Sequence, residues 1–195
     1  MKSSVAQVNI LGLGIYSQSR AHEAPKKNGE SHEDYDKRTW KEHLHTKDGI
    51  VIIPETAIIQ CIHSGVRYLG EKKKGMATWT KHFEGGIAMF EPAITNIQVK
   101  DVTYEDIYSN ADGVRGSGKR VYRRFPIMAP WSAKFSVTVL DPEITEDVFV
   151  RHLEVAGKYR GIGRWRPEKG GQNGRFAIES IKWEDNRELI EIARK

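Results

Sequence analysis

Residues 161–176, Gly-Ile-Gly-Arg-Trp-Arg-Pro-Glu-Lys-Gly-Gly-Gln-Asn-Gly-Arg-Phe, set five glycines and four cations beside a single acid. Guanidinium forks pair with phosphate oxygens. Glycine lets a backbone approach a ligand or adopt positive φ. The segment is therefore a candidate nucleic-acid cradle, with Arg160, Arg164, Arg166, Lys169 and Arg175 on phosphates and Trp165 stacked on a base or an arginine. It is not a nucleotide loop of the Walker type, because no Gly-Lys-Ser/Thr follows, and the GxGxxG spacing is absent. The competing reading is a solvated connection with Trp165 capping the core.

A second basic stretch lies upstream. Between Gly113 and Leu140 there are six cations, Arg115, Lys119, Arg120, Arg123, Arg124 and Lys134, and no acid. The first five could track a nucleic-acid backbone, with Tyr122 or Phe125 as stacking platforms. The alternative is a solvated charged loop. The formal net charge of +5 favours polyanionic partners, and its uneven distribution points to a binding face more strongly than its size does. Lys72, Lys73 and Lys74 form a bland run. Arg67 falls at a helix end, where a cation suits the dipole.

Other chemistries find less support. His22, His32, His43 and His45 share one polar region, and His43-x-His45 would present both rings on one side of a strand. No cysteine pair or HExxH accompanies them, so exposed histidine is the default and no metal site or cofactor is expected. His82 and His152 are isolated in the sequence. The single cysteine, Cys61, excludes an intramolecular disulfide and reads as a buried thiol. No nucleophile–base constellation is defined by spacing. No signal peptide opens the chain and no apolar run approaches a membrane span, so a soluble, cytoplasmic protein without membrane contact is expected.

The elements that would position these residues follow from hydrophobic period and breakers. Val5 to Ile15 alternates as a first strand. Residues 17–48 are polar and read as an exposed insertion, with Ser31-His-Glu-Asp as the N-cap signature of a short helix to His43. Ile50 to Pro54 is a short strand. Thr56 to Leu69 is a helix with Ile58, Ile59, Ile62, Val66 and Leu69 on one face, stopped by Gly70. Residues 71–76 form a basic loop and 86–92 a strand, and 94–108 is mixed extended chain. Residues 109–120 are a basic tongue, with Val121 to Pro126 as one arm of a hairpin around it. Lys134 to Leu140 alternates cleanly as a strand. A helix over 143–157, the glycine segment and a last strand, 175–183, complete the order. The result is an α+β domain over residues 1–195 with a βαββαβ, RRM- or ferredoxin-like core. Insertions fall at about 17–48 and 101–130, and one sheet face is left free for a ligand.

Two segments resemble the RAMP superfamily of CRISPR-associated proteins, whose members are built on RRM-like folds. Ile52-Ile-Pro-Glu-Thr-Ala-Ile-Ile-Gln-Cys-Ile-His-Ser-Gly-Val-Arg67 is similar to the family's strand-to-helix turn. Phe135 to Phe176 resembles its terminal module, in which the glycine loop sits beside bound RNA. The role implied is that of the backbone subunit that polymerises along CRISPR RNA, with residues 112–124 matching the thumb hairpin that kinks it. The resemblance also gives Arg67 a role. Glu55 and Thr56 stand where the family has Gly-Ser, and Gln60 where it has Lys, which weakens any RNA contact at that turn. Some such subunits cleave RNA with an aspartate after the first strand, and Asp34 or Asp36 is the positional match. The same two acids also suit the first turn of a helix. The C-terminal end resembles stand-alone phage proteins as well.

Composition, charge and resemblance together imply a non-catalytic protein that binds single-stranded RNA, with DNA not excluded. It would assemble as a homo-oligomer or filament along the strand, with other effector subunits as further partners, in a prokaryotic or phage-infected cell. The alternatives are a metal-dependent ribonuclease of the same superfamily, and a phage structural or assembly protein with basic loops.

Overall fold

The computed structural model describes residues 2–110, 118 and 120–188. Strand β1 (Lys2–Gly12) sends Ala6, Val8 and Ile10 into the core and Gln7 and Leu11 to the other face, the period-2 pattern its sequence dictates. The chain continues through β2 (Tyr16–Ser17), α1 (His32–Thr39), β3 (Thr46–Lys47), β4 (Ile50–Ile53), α2 (Glu55–Leu69), β5 (Lys72–Lys74) and β6 (Ala77–Thr78). Next come α3 (Thr80–Gly86), β7 (Ile87–Ala88), β8 (Ala93–Gln98), β9 (Thr103–Asn110) and β10 (Arg120–Met128). The last elements are β11 (Ser132–Val139), α4 (Glu146–Val155) and β12 (Phe176–Glu188).

The main sheet has the order β12-β1-β11-β8-β4-β3, with β7 paired to the end of β11. Reading β1, α2, β8, β11, α4 and β12 in turn gives βαββαβ. The fourth core strand lies beside the first, the first beside the third and the third beside the second, all antiparallel. This is the expected α+β, RRM-like arrangement, with one substitution. The second core strand is β8, not residues 86–92, of which only Ile87 and Ala88 pair. Pro92 lacks a ladder donor, and the alternation that builds a strand resumes at Ala93, where Ala93 and Thr95 are buried and Ile94 and Asn96 are not.

Both helices cover one sheet face. α2 contributes Ile58, Cys61, Ile62 and Val66, and α4 contributes Val148, Phe149 and Leu153. Leu69, expected on the buried stripe, is exposed on the last turn, immediately before Gly70 stops the helix at φ 59°. α4 starts later than the expected residue 143 because Thr145 caps it, accepting a hydrogen bond from the Val148 amide. Cys61 is buried as expected. Burial, then the nearby Glu168 carboxylate, pushes its thiol up to about 12.

Residues 17–48 are exposed over much of their length, but one side of the segment packs inward. Ser31 caps α1 as its sequence predicts, and Asp36, Thr39, His43 and Leu44 are all buried. They pack on a second sheet of order β2-β10-β9. His43 stacks on Phe125 at 5.2 Å, and Trp40 lies 5.4 Å from Tyr104. His43 ends a 3-10 turn (Trp40–His43), so it and His45 do not share a strand face. The basic loop at 71–76 is a small hairpin of β5 and β6. Among the described residues no helix is long and apolar enough to cross a membrane.

Gly65 brings α2 close to the turn that follows α4. A Cβ there would lie 2.7 Å from the Ala156 Cβ and 2.8 Å from its Cα. Alanine for glycine inside a helix ordinarily stabilises by about 0.5–1 kcal/mol. Here the sign reverses: Gly65→Ala lowers stability by about 1–3 kcal/mol, the cost of overpacking a close interface. Urea denaturation checks this, and an unchanged or raised midpoint would show that α2 and the chain after α4 are not in such contact.

Candidate nucleic-acid interface

The chain leaves α4 through a π-turn (Ala156–Arg160) and folds the glycine segment back on itself. The Ile162 amide donates to the Gly174 carbonyl, Asn173 to Trp165 and Gly171 to Arg166. Two further bonds, Gly174 to the Ile15 carbonyl and Arg164 to the Ser17 carbonyl, dock the loop on the chain that follows β1. The glycines are required by this folding. At Gly163 (φ 77°) a Cβ would strike the Ser17 carbonyl and the Tyr16 ring, and at Gly174 (φ 70°) the Ile162 carbonyl. At these positions the close approach expected for a ligand is made to the protein's own backbone.

That docking buries the Arg164 side chain to 9% exposure. Its guanidinium carbon lies 4.0 Å from the Phe125 ring centroid and 4.5 Å from that of Trp165, and it bonds Glu105 at 3.0 Å. Burial pulls the Arg164 pKa down and the Glu105 carboxylate opposes the shift. Trp165, with φ 55°, is held outward and 51% exposed. The glycine loop thereby meets the β9–β10 hairpin. Ile107, Ser109, Asn110, Arg120, Arg123 and Phe125 from the hairpin, with Arg164 and Trp165 from the loop, line a groove of about 380 Å³. Two sequence-distant basic segments thus converge on one concave surface.

The hairpin's other face carries a ladder of rings and cations. Register pairs Tyr122 with Tyr108 and Arg124 with Asp106. Tyr108 and Tyr122 are both exposed, with ring centroids 5.3 Å apart. Arg120, the first residue of β10 and also part of the groove lining, lies over Tyr108 at 5.0 Å and so joins the two faces, and Arg124 lies over Tyr104 at 3.6 Å. Arg115 and Lys119 lie outside the described residues.

The acid-free run at 113–140 does not stay acid-free in space. Arg124 bonds Asp106 through two nitrogens at 2.8 Å and holds that carboxyl below its ordinary pKa. Arg123 bonds Asp36 at 2.7 Å, with the Asp36 side chain only 5% exposed. A count along the chain misses both acids because β-pairing and α1 deliver them from elsewhere. Asp36 lies beyond the first turn of α1 and is committed to its ion pair, whereas Asp34, in the first turn as expected, accepts from the Ser31 hydroxyl at the cap.

The remaining cations are dispersed. Arg160 and Arg166 both pair with Glu168, at 3.0 and 2.7 Å, and Arg160 also bonds Ser64 on α2. Burial alone would raise Glu168, but hydrogen bonds from Ser64, Arg166 and Arg160 hold it down at about 2. Arg175 donates to the Lys158 carbonyl and to Gln172. Lys169 is exposed on the loop. Arg67 pairs with Glu84 at 3.1 Å, and no residue of the groove lining comes from its turn of α2. Sequence reasoning missed Glu105, Tyr104 and Tyr108. The signal for the two tyrosines was the alternation Tyr104-x-Asp106-x-Tyr108 set against Arg120-x-Tyr122-x-Arg124.

No family model matches the sequence, and no curated protein matches it. Solved structures do. A cryo-EM structure of the type III-B Cmr-beta bound to cognate target RNA contains a chain with TM-score 0.53 and 13% identity over 94% of this protein. The two chains share a fold. The protein spans 61% of that neighbour's length. A crystal structure of Cmr6 from Pyrococcus furiosus is 11% identical over 90% of this chain and 98% of that one, at TM-score 0.47, too low to carry a conclusion. The α+β, RRM-like fold is the one that the resemblance of the two sequence segments implied.

Glu168 makes the loop's anchoring acid-sensitive. Its folded pKa lies below the unfolded value of 4.5. Its contribution is therefore complete above pH 4.5 and disappears as pH falls from 4.5 towards 2. Thermal melts across that window should show wild type losing more stability than Glu168→Gln, with the two curves converging near pH 2. Parallel curves would mean that Glu168 is not held by its arginines.

Proposed function

We propose that this protein binds single-stranded RNA in the groove between the β9–β10 hairpin and the glycine loop, as a non-catalytic subunit of an RNA-containing effector assembly. The observation that carries this is the convergence of Arg120, Arg123 and Arg164 with Phe125 and the exposed Trp165 on one concave surface. Cations along a groove with rings at its rim suit a sequence-tolerant single strand, since every base has a π-face and every nucleotide a phosphate. The neighbour bound to cognate target RNA adds support from fold alone.

The open face of the main sheet is a poorer candidate. It presents Gln7, Lys134, Ser136, Ser180 and Lys182 with Leu11 and Ile94 exposed among them, and no aromatic among the described residues of that face. Stacking therefore falls to the hairpin and loop, at the edge of the fold. Several of the groove's cations already face acids, so the electrostatic contribution of this surface is modest and stacking carries more of the affinity. Head-to-tail packing of copies along one strand, and contact with other subunits, extend the same reading, because a heterologous contact that does not close generates a filament.

Fluorescence anisotropy with a labelled oligouridylate over a salt series tests this. Trp165→Ala should weaken binding by about 1–3 kcal/mol, roughly 5- to 150-fold, with little change in salt slope. Arg120→Ala should reduce the slope by about one unit. Both variants leave the Arg164–Glu105 contact in place. Unaltered affinity and slope in both would remove the groove from consideration. An equally tight complex with the matching oligodeoxynucleotide would widen the ligand to single-stranded nucleic acid.

A further inference from the structure

Tyr68, at the end of α2, and Tyr159, in the π-turn after α4, stack with ring centroids 5.3 Å apart and planes inclined by 30°. They are 56% and 41% exposed, so both residues are open to solvent. Their neighbours are cationic. Arg160 lies 5.3 Å from the Tyr68 ring and Lys158 lies 5.2 Å from the Tyr159 ring. Neither tyrosine belongs to the groove lining.

The pair is fixed by the surrounding structure. The close approach of Gly65 to Ala156 sets α2 against the π-turn. Ser64 on α2 bonds both Arg160 and Glu168. The same Glu168 holds Arg166, the residue after Trp165. A path of cations therefore runs from the groove rim at Trp165, across Arg166 and Arg160, to the two tyrosines. The Glu168 carboxylate on that path is shared by two arginines, leaving the triad with net positive charge.

We propose that Tyr68 and Tyr159 form a second stacking platform for the same RNA strand, taking a base after the strand leaves Trp165 and crosses the Arg166–Glu168–Arg160 bridge. This rests on the RNA-binding reading above. Ring and cation alternate here as they do at Trp165 with Arg164 and at Tyr108 with Arg120. An apolar protein partner would find two phenol rings interleaved with charges that must be desolvated. A single strand takes the rings by stacking and the cations by its phosphates.

Oligouridylates of about 4 and about 12 nucleotides, within the usual span of single-strand sites, separate the two surfaces. Their affinities are compared for wild type, Trp165→Ala, the double variant Tyr68→Ala/Tyr159→Ala and the double variant Tyr68→Phe/Tyr159→Phe, with thermal melts for each. The alanine pair should weaken the long oligomer at least about fivefold while leaving the short one unchanged, and the phenylalanine pair should restore binding. Trp165→Ala should weaken both lengths. Unchanged long-oligomer affinity in the alanine pair, with Trp165→Ala still defective, overturns the platform and leaves the groove standing; the tyrosines would then belong to a protein contact. Equal loss at both lengths also overturns it, since the effect would not be local. Failure of wild type to bind either oligomer overturns both readings. Should the alanine pair melt early, Tyr68→Gln/Tyr159→Gln removes the rings with less loss of side-chain volume and decides between the same outcomes.

Discussion

One guanidinium sits where the two halves of the interface meet. Arg164 lies between the Phe125 and Trp165 rings and bonds Glu105, so a single side chain joins the glycine loop to both strands of the β9–β10 hairpin. Arginine suits the place better than lysine would. Its planar, delocalised charge is weakly hydrated and can lie flat on aromatic faces while its edge bonds a carboxylate. Burying it costs desolvation, visible in its lowered pKa, and the carboxylate and the two π-faces offset that cost. The outward pose of Trp165 and the groove itself depend on this contact.

The glycine segment shows how a composition can point to the right surface for an incomplete reason. Its glycines were read as permitting approach to a phosphate. Gly163 and Gly174 instead permit approach to Ser17 and Ile162 of the same chain. The loop is rigid where it was expected to be open, and its ligand-facing chemistry comes from the side chains between the glycines.

Much of the fold was legible because it is local. Alternation gave β1 and β11, the 3.6 period gave α2, Ser31 gave the start of α1 and Gly70 the end of α2. What escaped was set by contacts across the chain. Strand β8 was hidden because its outward residues include Ile94, which blurs the alternation. The polar composition of residues 17–48 concealed a packed helix, since Asp36 is buried only by virtue of Arg123, 87 residues away. The candidate site was half legible for the same reason. Arginines and aromatics stood out in the sequence, whereas the acids that neutralise several of them are neighbours only after β9 pairs with β10 and α1 docks.

The Asp36–Arg123 bridge has a consequence for how such a chain could have arisen. It joins two decorations of the βαββαβ core that lie far apart in sequence, and each supplies what the other lacks: α1 brings a carboxylate that would be stranded without the hairpin, and β10 brings a cation and the Phe125 face that His43 covers. Neither is a self-sufficient graft. Their histories are therefore coupled, and in related chains a loss or shortening of one should be accompanied by the remodelling of the other.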